Sequence, residues 1–262
     1  MPWTMLHFKT IIPTFLVMFG IAFFLARLFR NETEFVKLLP IRIIAIIIIF
    51  LEIMKQYLSI KQGYTLYHLP FHFCSMFVFL FPLFAFVKGR YKEHVRIITL
   101  ISCTLLFAFM IIMPNTIYAP EDITLFLKDF FSFHTVFFHN IVIFGFFYIV
   151  NIKLYSLDLK RDLKTILIVF PLYGSVACVM SNMMKVNFNS FYYCQIPFIE
   201  DFRLWMIDKI EWGGHAIYTI LLFIVSFVFI LLCYWVFRSV VLFVEKIRLK
   251  RANEKSVARE KD

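Results

Sequence analysis

Apolar residues run along this chain in blocks of about twenty, each closed by charged or turn-forming residues. A helix rises about 1.5 Å per residue, so one block crosses the roughly 30 Å hydrocarbon layer of a bilayer. Seven blocks read this way: Phe8–Leu28, Leu39–Ile60, Leu69–Val87, Arg96–Met113, Phe133–Asn151, Thr165–Met184 and Ala216–Phe237. The shorter alternating segments of barrel strands are absent. The expected fold is an all-α polytopic membrane bundle of about seven transmembrane helices, residues 1–244, followed by a basic tail, residues 245–262. The first block is too long for a secretory signal and its strong charges, Arg27 and Arg30, follow it, so it reads as a membrane anchor.

Composition agrees with this reading. With 61% hydrophobic and 17% charged residues, the chain carries more apolar surface than one water-soluble core can hide. Charge then sets the direction of insertion, because cytoplasmic connections collect Lys and Arg. Alternate connections carry Arg27, Arg30, Lys37 and Arg42, then Lys88, Arg90, Lys92 and Arg96, then Lys153, Lys160, Arg161 and Lys164, and the tail adds eight more. Of the 27 basic residues only Lys9, Lys55, Lys61, Lys128, Lys185, Arg203 and Lys209 fall on the other side. The amino terminus is therefore expected outside and the tail inside, in the cell membrane. The net charge of +10 is explained by anionic headgroups and requires no nucleic acid. The tail reads as solvated helix or disordered chain. The five cysteines lie mostly in apolar runs and form no disulfide framework.

Two of the external connections are long. Pro114–Phe131 holds turn signals and an amphipathic stretch, Ile123–Phe131, suited to the interface. Val186–Gly214 mixes Tyr192, Tyr193, Trp205 and Trp212 with charges, as a cap at headgroup level does.

Polar side chains inside a membrane are costly, so where they gather is informative. His68, His72 and Cys74 fall at the outer end of the third block, and His134, His139 and Asn140 in the outer part of the fifth. Asn182 closes the sixth block, His215 opens the seventh, and Glu52, Lys55 and Gln56 lie toward the outer end of the second. Cys74 lies roughly 6 Å below Pro70 and His139 roughly 9 Å below Phe133, by helical rise. A cysteine in apolar surroundings is an inert thiol unless a base acts on it, and a histidine within reach supplies the nucleophile–base pair of acyl transfer. On a helix His72 and Cys74 point about 200° apart, so the base must come from another span. His139 is the expected base and His134 the second choice. Cys103, Cys178 and Cys233 read as packing. His68 and His72, four apart, could grip a metal from one helix face, but no acidic partner or His-Glu-x-x-His pattern accompanies them, so no metal and no cofactor is expected.

The segment Leu69-Pro70-Phe71-His72-Phe73-Cys74-Ser75 resembles the Leu-Pro-x-His-x-Cys signature of the YwaF-like integral membrane proteins and their eukaryotic relative, transmembrane protein 164. The loop Asn189-Ser190-Phe191-Tyr192-Tyr193-Cys194-Gln195-Ile196-Pro197 is similar to that family's Asn-Tyr-x-[Tyr/Phe]-Leu-x-x-x-Pro element, with Ser190 and Tyr193 departing from it. His139 matches a family histidine early in the fifth span. The resemblance implies a membrane-embedded Cys/His site that transfers acyl groups on lysophospholipids or hydrolyses fatty-acyl esters.

The resulting expectation is a lipid-acting acyltransferase or hydrolase at the outer leaflet. Cys74 attacks the ester, His139 moves the proton, and Asn182, Asn140 or Ser75 donates to the oxyanion. The rival is a non-enzymatic transport or substrate-binding subunit with an outward-facing polar pocket.

Overall fold

A computed structural model describes residues 3–194, 196–210 and 213–259. Gln195, Trp212 and the last three residues of the basic tail lie outside the described residues. All regular structure among the described residues is helical. In chain order the α-helices are α1 (Met5–Leu28), α2 (Glu34–Lys37), α3 (Leu39–Lys61), α4 (Phe77–Phe86), α5 (Lys92–Ile112), α6 (Pro120–Thr124), α7 (Phe130–Ile152), α8 (Leu159–Met184), α9 (Pro197–Lys209) and α10 (Gly214–Arg259).

The ends of these helices follow local chemistry. Thr4 caps α1 by accepting from the His7 amide, while the His7 ring accepts from the Thr4 amide. Asp129 caps α7 through the Ser132 amide, and Asp158 caps α8 through the Arg161 amide. Both α7 and α8 stop at a left-handed residue, Lys153 and Lys185. Among the described residues, five helices are long and apolar enough to cross a membrane: Met5–Leu28, Gly89–Ile112, Phe130–Ile152, Leu159–Met184 and Gly214–Lys250. α3 is 23 residues long and apolar from Ile43 to Leu51, with Arg42 before that run and Glu52, Lys55 and Lys61 after it.

α5 forms the centre and packs against α4, α7, α8 and α10, while α1 lies on α7 and α3 packs on α4 and α7. Gly145 lets α7 approach closely: a Cβ there would come within 2.5 Å of the Phe81 ring of α4. The outward faces are apolar, with Phe24, Ile46, Phe50, Ile53, Val225 and Val228 all exposed. Water tolerates no continuous apolar surface of that extent; lipid does.

The connections gather at two ends. At one, Tyr148 donates to the Lys37 carbonyl, Glu34 pairs with Lys92 and Arg96, Glu93 accepts from Ser156, and Lys153 pairs with Glu245. This is the end where most of the basic residues lie. At the other, Trp3 donates to the Ile111 carbonyl, the His7 ring meets the Tyr118 carbonyl, and His68, Asn140 and Asn189 make the contacts described below. Six of the seven histidines sit at this second end; His94, bonded to Thr165, is at the basic end.

The third apolar block departs from its expected form. Residues Leu66–His68 and Phe73–Met76 are 3₁₀ turns separated by a turn at Pro70–Phe71, and the α-helix begins only at Phe77. α4 has ten residues, which span roughly 15 Å, about half the hydrocarbon layer. Pro70 removes one amide donor and holds Leu69 extended. The expected helical faces are therefore corrected: His72 and Cys74 are not set by a 200° helical angle, and His68 and His72 share no helix face. The amphipathic stretch Ile123–Phe131 is likewise not one helix, since α6 ends at Thr124 and α7 starts at Phe130. α10 runs far beyond a bilayer's thickness, carrying helix into the tail as far as Arg259.

Candidate functional site

Cys74 occupies the 3₁₀ turn that precedes α4, half-buried and packed against the main apolar core. Irregular backbone at membrane depth requires substitute hydrogen-bond partners. Asn189 supplies them. Its Oδ1 accepts from the Phe73 amide at 2.6 Å, and its Nδ2 donates to the Phe71 carbonyl at 3.0 Å and to the Tyr173 hydroxyl at 3.1 Å. Tyr173, on α8, donates to the same Phe71 carbonyl at 2.9 Å. One side chain from a distant loop thus clasps the chain on the amino-terminal side of Cys74, at Phe71 and Phe73. Asn189 and Ser190 both hold positive φ, 54° and 64°, a region that asparagine tolerates better than most residues. The Ser190 carbonyl is tied to the Tyr218 hydroxyl at 2.9 Å.

His139 lies on α7. Its Nδ1 stands 2.6 Å from the Thr135 carbonyl, an acceptor, so Nδ1 carries the proton and donates. The tautomer leaves a lone pair on Nε2, which is buried and has no partner among the described residues. Tyr118 touches this ring edge-on, with centroids 5.9 Å apart, and its hydroxyl donates to Asn140 Oδ1 at 3.2 Å. The Cys74 thiol is hydrogen-bonded to neither His139 nor His134.

The remaining expected site residues divide. Asn140 has its oxygen engaged by Tyr118, which directs its amide nitrogen away from that bond. Ser75 is buried beside Cys74. His72 donates through Nε2 to the Tyr67 carbonyl at 3.0 Å and packs between Tyr67 and Phe188. Asn182 belongs elsewhere, bonded to His215 Nε2 at 2.6 Å and to the Cys178 carbonyl at 2.9 Å. His134 lies 3.8 Å from Glu52, whose carboxylate also holds Lys55 at 2.8 Å and Gln56 at 2.7 Å. His68 bonds to Ser59 and stacks on Phe131.

Sequence reasoning missed Tyr118, Tyr173 and Thr135. Only Tyr118 stood near a signal, the turn residues Ala-Pro-Glu-Asp that follow it. Beyond the clasp, Glu200 of α9 accepts from the Cys194 amide at 2.7 Å and from Arg203 Nε at 2.8 Å. The Arg203 guanidinium beside Glu200 holds its carboxyl below the ordinary value of 4.5. Among the described residues no group of three or more His, Cys, Asp or Glu side chains is placed to hold a metal ion.

No curated protein and no solved structure matches this chain. The sequence profile of the TMEM164 family matches residues 2–237, a stretch that includes the Cys74 turn, the Asn189 loop and His139. With that coverage, this multi-pass membrane protein belongs to the TMEM164 family.

Proposed function

We propose that this protein is a membrane-embedded enzyme that moves acyl groups between lipids, or from lipid to water, through a thioester on Cys74. The observation that carries the reading is the state of His139: Nδ1 is committed to the Thr135 carbonyl, leaving Nε2 as a buried, unpartnered base beside Tyr118. In the first step the Cys74 proton passes to His139 Nε2 and the sulfur bonds the ester carbonyl carbon. The ester C–O bond then breaks, and the alkoxide leaves with the proton held at Nε2. Asn140 is the oxyanion donor that the geometry favours over Asn182, because Tyr118 occupies its oxygen and not its nitrogen, while the Asn182 nitrogen is committed to the Cys178 carbonyl. The Asn189 clasp holds the nucleophile turn in place.

The substrate class is a fatty-acyl ester or lysophospholipid entering laterally from the bilayer. Its setting is the outer leaflet of the cell membrane, with the histidine-bearing end outside, seven crossings and the basic tail of residues 245–262 inside. The gathering of Arg30, Lys37, Arg90, Lys92, Lys153 and Arg161 at the opposite end supports that orientation. The Ile152–Leu163 connection should then be reached by reagents only from the cytoplasmic side.

The Glu52–Lys55–Gln56 group favours a second reading, a pocket that binds a small polar ligand for transport. An acyl-chain activity probe on membranes separates the two. The enzyme reading requires labelling that is lost in Cys74→Ala and reduced by roughly 10²-fold or more in His139→Gln. Labelling that persists in Cys74→Ala removes it, and ligand uptake without labelling favours transport.

A further inference from the structure

The chemistry at Cys74 and His139 leaves a second buried pair unused. His134 is 8% exposed and its Nε2 has no hydrogen-bond partner among the described residues. Buried polar atoms are nearly always partnered, so an orphan of this kind points to something it is built to receive. The ring is held in plane by stacking on Phe138 at 5.3 Å and by Phe130 at 6.3 Å. Glu52 Oε2 faces this same Nε2 at 3.8 Å, too far for a hydrogen bond but close enough to stabilise a positive imidazole. Glu52 is itself fixed from two sides, by Lys55 at 2.8 Å and Gln56 at 2.7 Å, and Gln56 is anchored in turn to the His68 carbonyl at 2.7 Å. His134 precedes His139 by five residues on α7, roughly 7 Å nearer the histidine-bearing end by helical rise. An imidazole nitrogen with a carboxylate beside it accepts a proton from a hydroxyl, because the carboxylate stabilises the imidazolium that forms.

Resting on the acyl-enzyme reading above, we propose that His134, with Glu52 beside its Nε2, is the subsite that receives the hydroxyl group which resolves the Cys74 thioester. The hydroxyl belongs to an acceptor lipid arriving from the headgroup side. As its oxygen bonds the thioester carbonyl carbon, its O–H bond breaks and the proton goes to His134 Nε2. The C–S bond then breaks with its electron pair on sulfur. The proton returns to that sulfur by way of His139, leaving a new ester, a thiol and two neutral imidazoles. The enzyme thus divides its two half-reactions between two histidines of one helix.

The test follows the halves separately in purified, detergent-solubilised protein of full length. p-Nitrophenyl decanoate supplies the acyl group, and mass spectrometry follows the Cys74 thioester before and after addition of a monoacylglycerol. His134→Gln is expected to acylate within about threefold of the unsubstituted protein, while acceptor-driven decay of its thioester slows roughly 10²-fold. Glu52→Gln is expected to slow the same step by a smaller factor. If thioester decay without monoacylglycerol is fast, and is slowed equally by His134→Gln, water is the hydroxyl the subsite takes. Decay at the unsubstituted rate in His134→Gln overturns the proposal. So does loss of acylation in both His134→Gln and His134→Asn when each elutes as monodisperse protein. If the unsubstituted protein never acylates Cys74, the enzyme reading fails first and the subsite with it.

Discussion

Replacing Asn189 with alanine isolates the device that holds the Cys74 turn. The side chain makes three hydrogen bonds, to the Phe73 amide, the Phe71 carbonyl and the Tyr173 hydroxyl. The Phe71 carbonyl keeps the Tyr173 hydroxyl as a partner after the change, so it stays satisfied. The Phe73 amide has no such substitute, and leaving a partly buried donor unpaired costs about 1–3 kcal/mol. Alanine at a φ of 54° adds about 1 kcal/mol of strain that asparagine largely avoids. Together these weaken the closed turn by roughly 2–4 kcal/mol, which raises the open population by about 30- to 1,000-fold. The assay is alkylation of Cys74 by a maleimide in protein whose other four cysteines are alanine. Asn189→Ala should speed labelling at least tenfold. Asn189→Asp, which keeps the Oδ1 acceptor and loses the Nδ2 donors, should fall between. Equal labelling rates in Asn189→Ala and the parent would show that the clasp does not hold the turn.

Three further outcomes follow from the packing and charges. Gly145→Ala should lower the thermal midpoint in detergent by several degrees, because its Cβ meets the buried Phe81 ring at 2.5 Å and overpacking costs about 1–3 kcal/mol; Gly20→Ala, with nothing within 4 Å, should not. The Glu200 carboxyl titrates lower in the folded loop than in an unfolded chain, so its contribution is present above pH 4.5 and is lost as pH falls through the lower folded value. Emission from Trp205, in a protein where it is the sole tryptophan, should hold steady from pH 7 to 5 and change below 4.5, and Glu200→Gln should abolish that change. Tyr118→Phe should leave the fold intact, since only the hydroxyl bonded to Asn140 is removed, and should slow Cys74 acylation by roughly tenfold as Asn140 loses its orientation; an unchanged rate would remove Asn140 from the site.

The long helices were legible because lipid imposes one rule on them: each must satisfy its own backbone over about twenty apolar residues. α1, α3, α7 and α8 accordingly fall within a few residues of the hydrophobic blocks. The break at residues 66–76 was not legible. Pro70 marked a helix entrance in the sequence, but the partners that let the chain stay unwound past it, Asn189 and Tyr173, come from more than a hundred residues away. Spacing rules that assume a helix therefore misjudged His72 and Cys74. His139 could be named from depth and type, whereas its fixed tautomer depends on a contact with the Thr135 carbonyl that only the folded helix displays. Tyr118 carries no motif. It matters because His7, Asn140 and His139 converge on it from two helices.

Intact-mass analysis after incubation with an acyl ester reads the covalent chemistry at the Cys74 sulfur. A single added acyl group is expected, mapped to Cys74, released by hydroxylamine, absent from Cys74→Ala and reduced by roughly 10²-fold or more in His139→Gln. An acyl adduct on another residue, or none on a protein that turns the ester over, would contradict it.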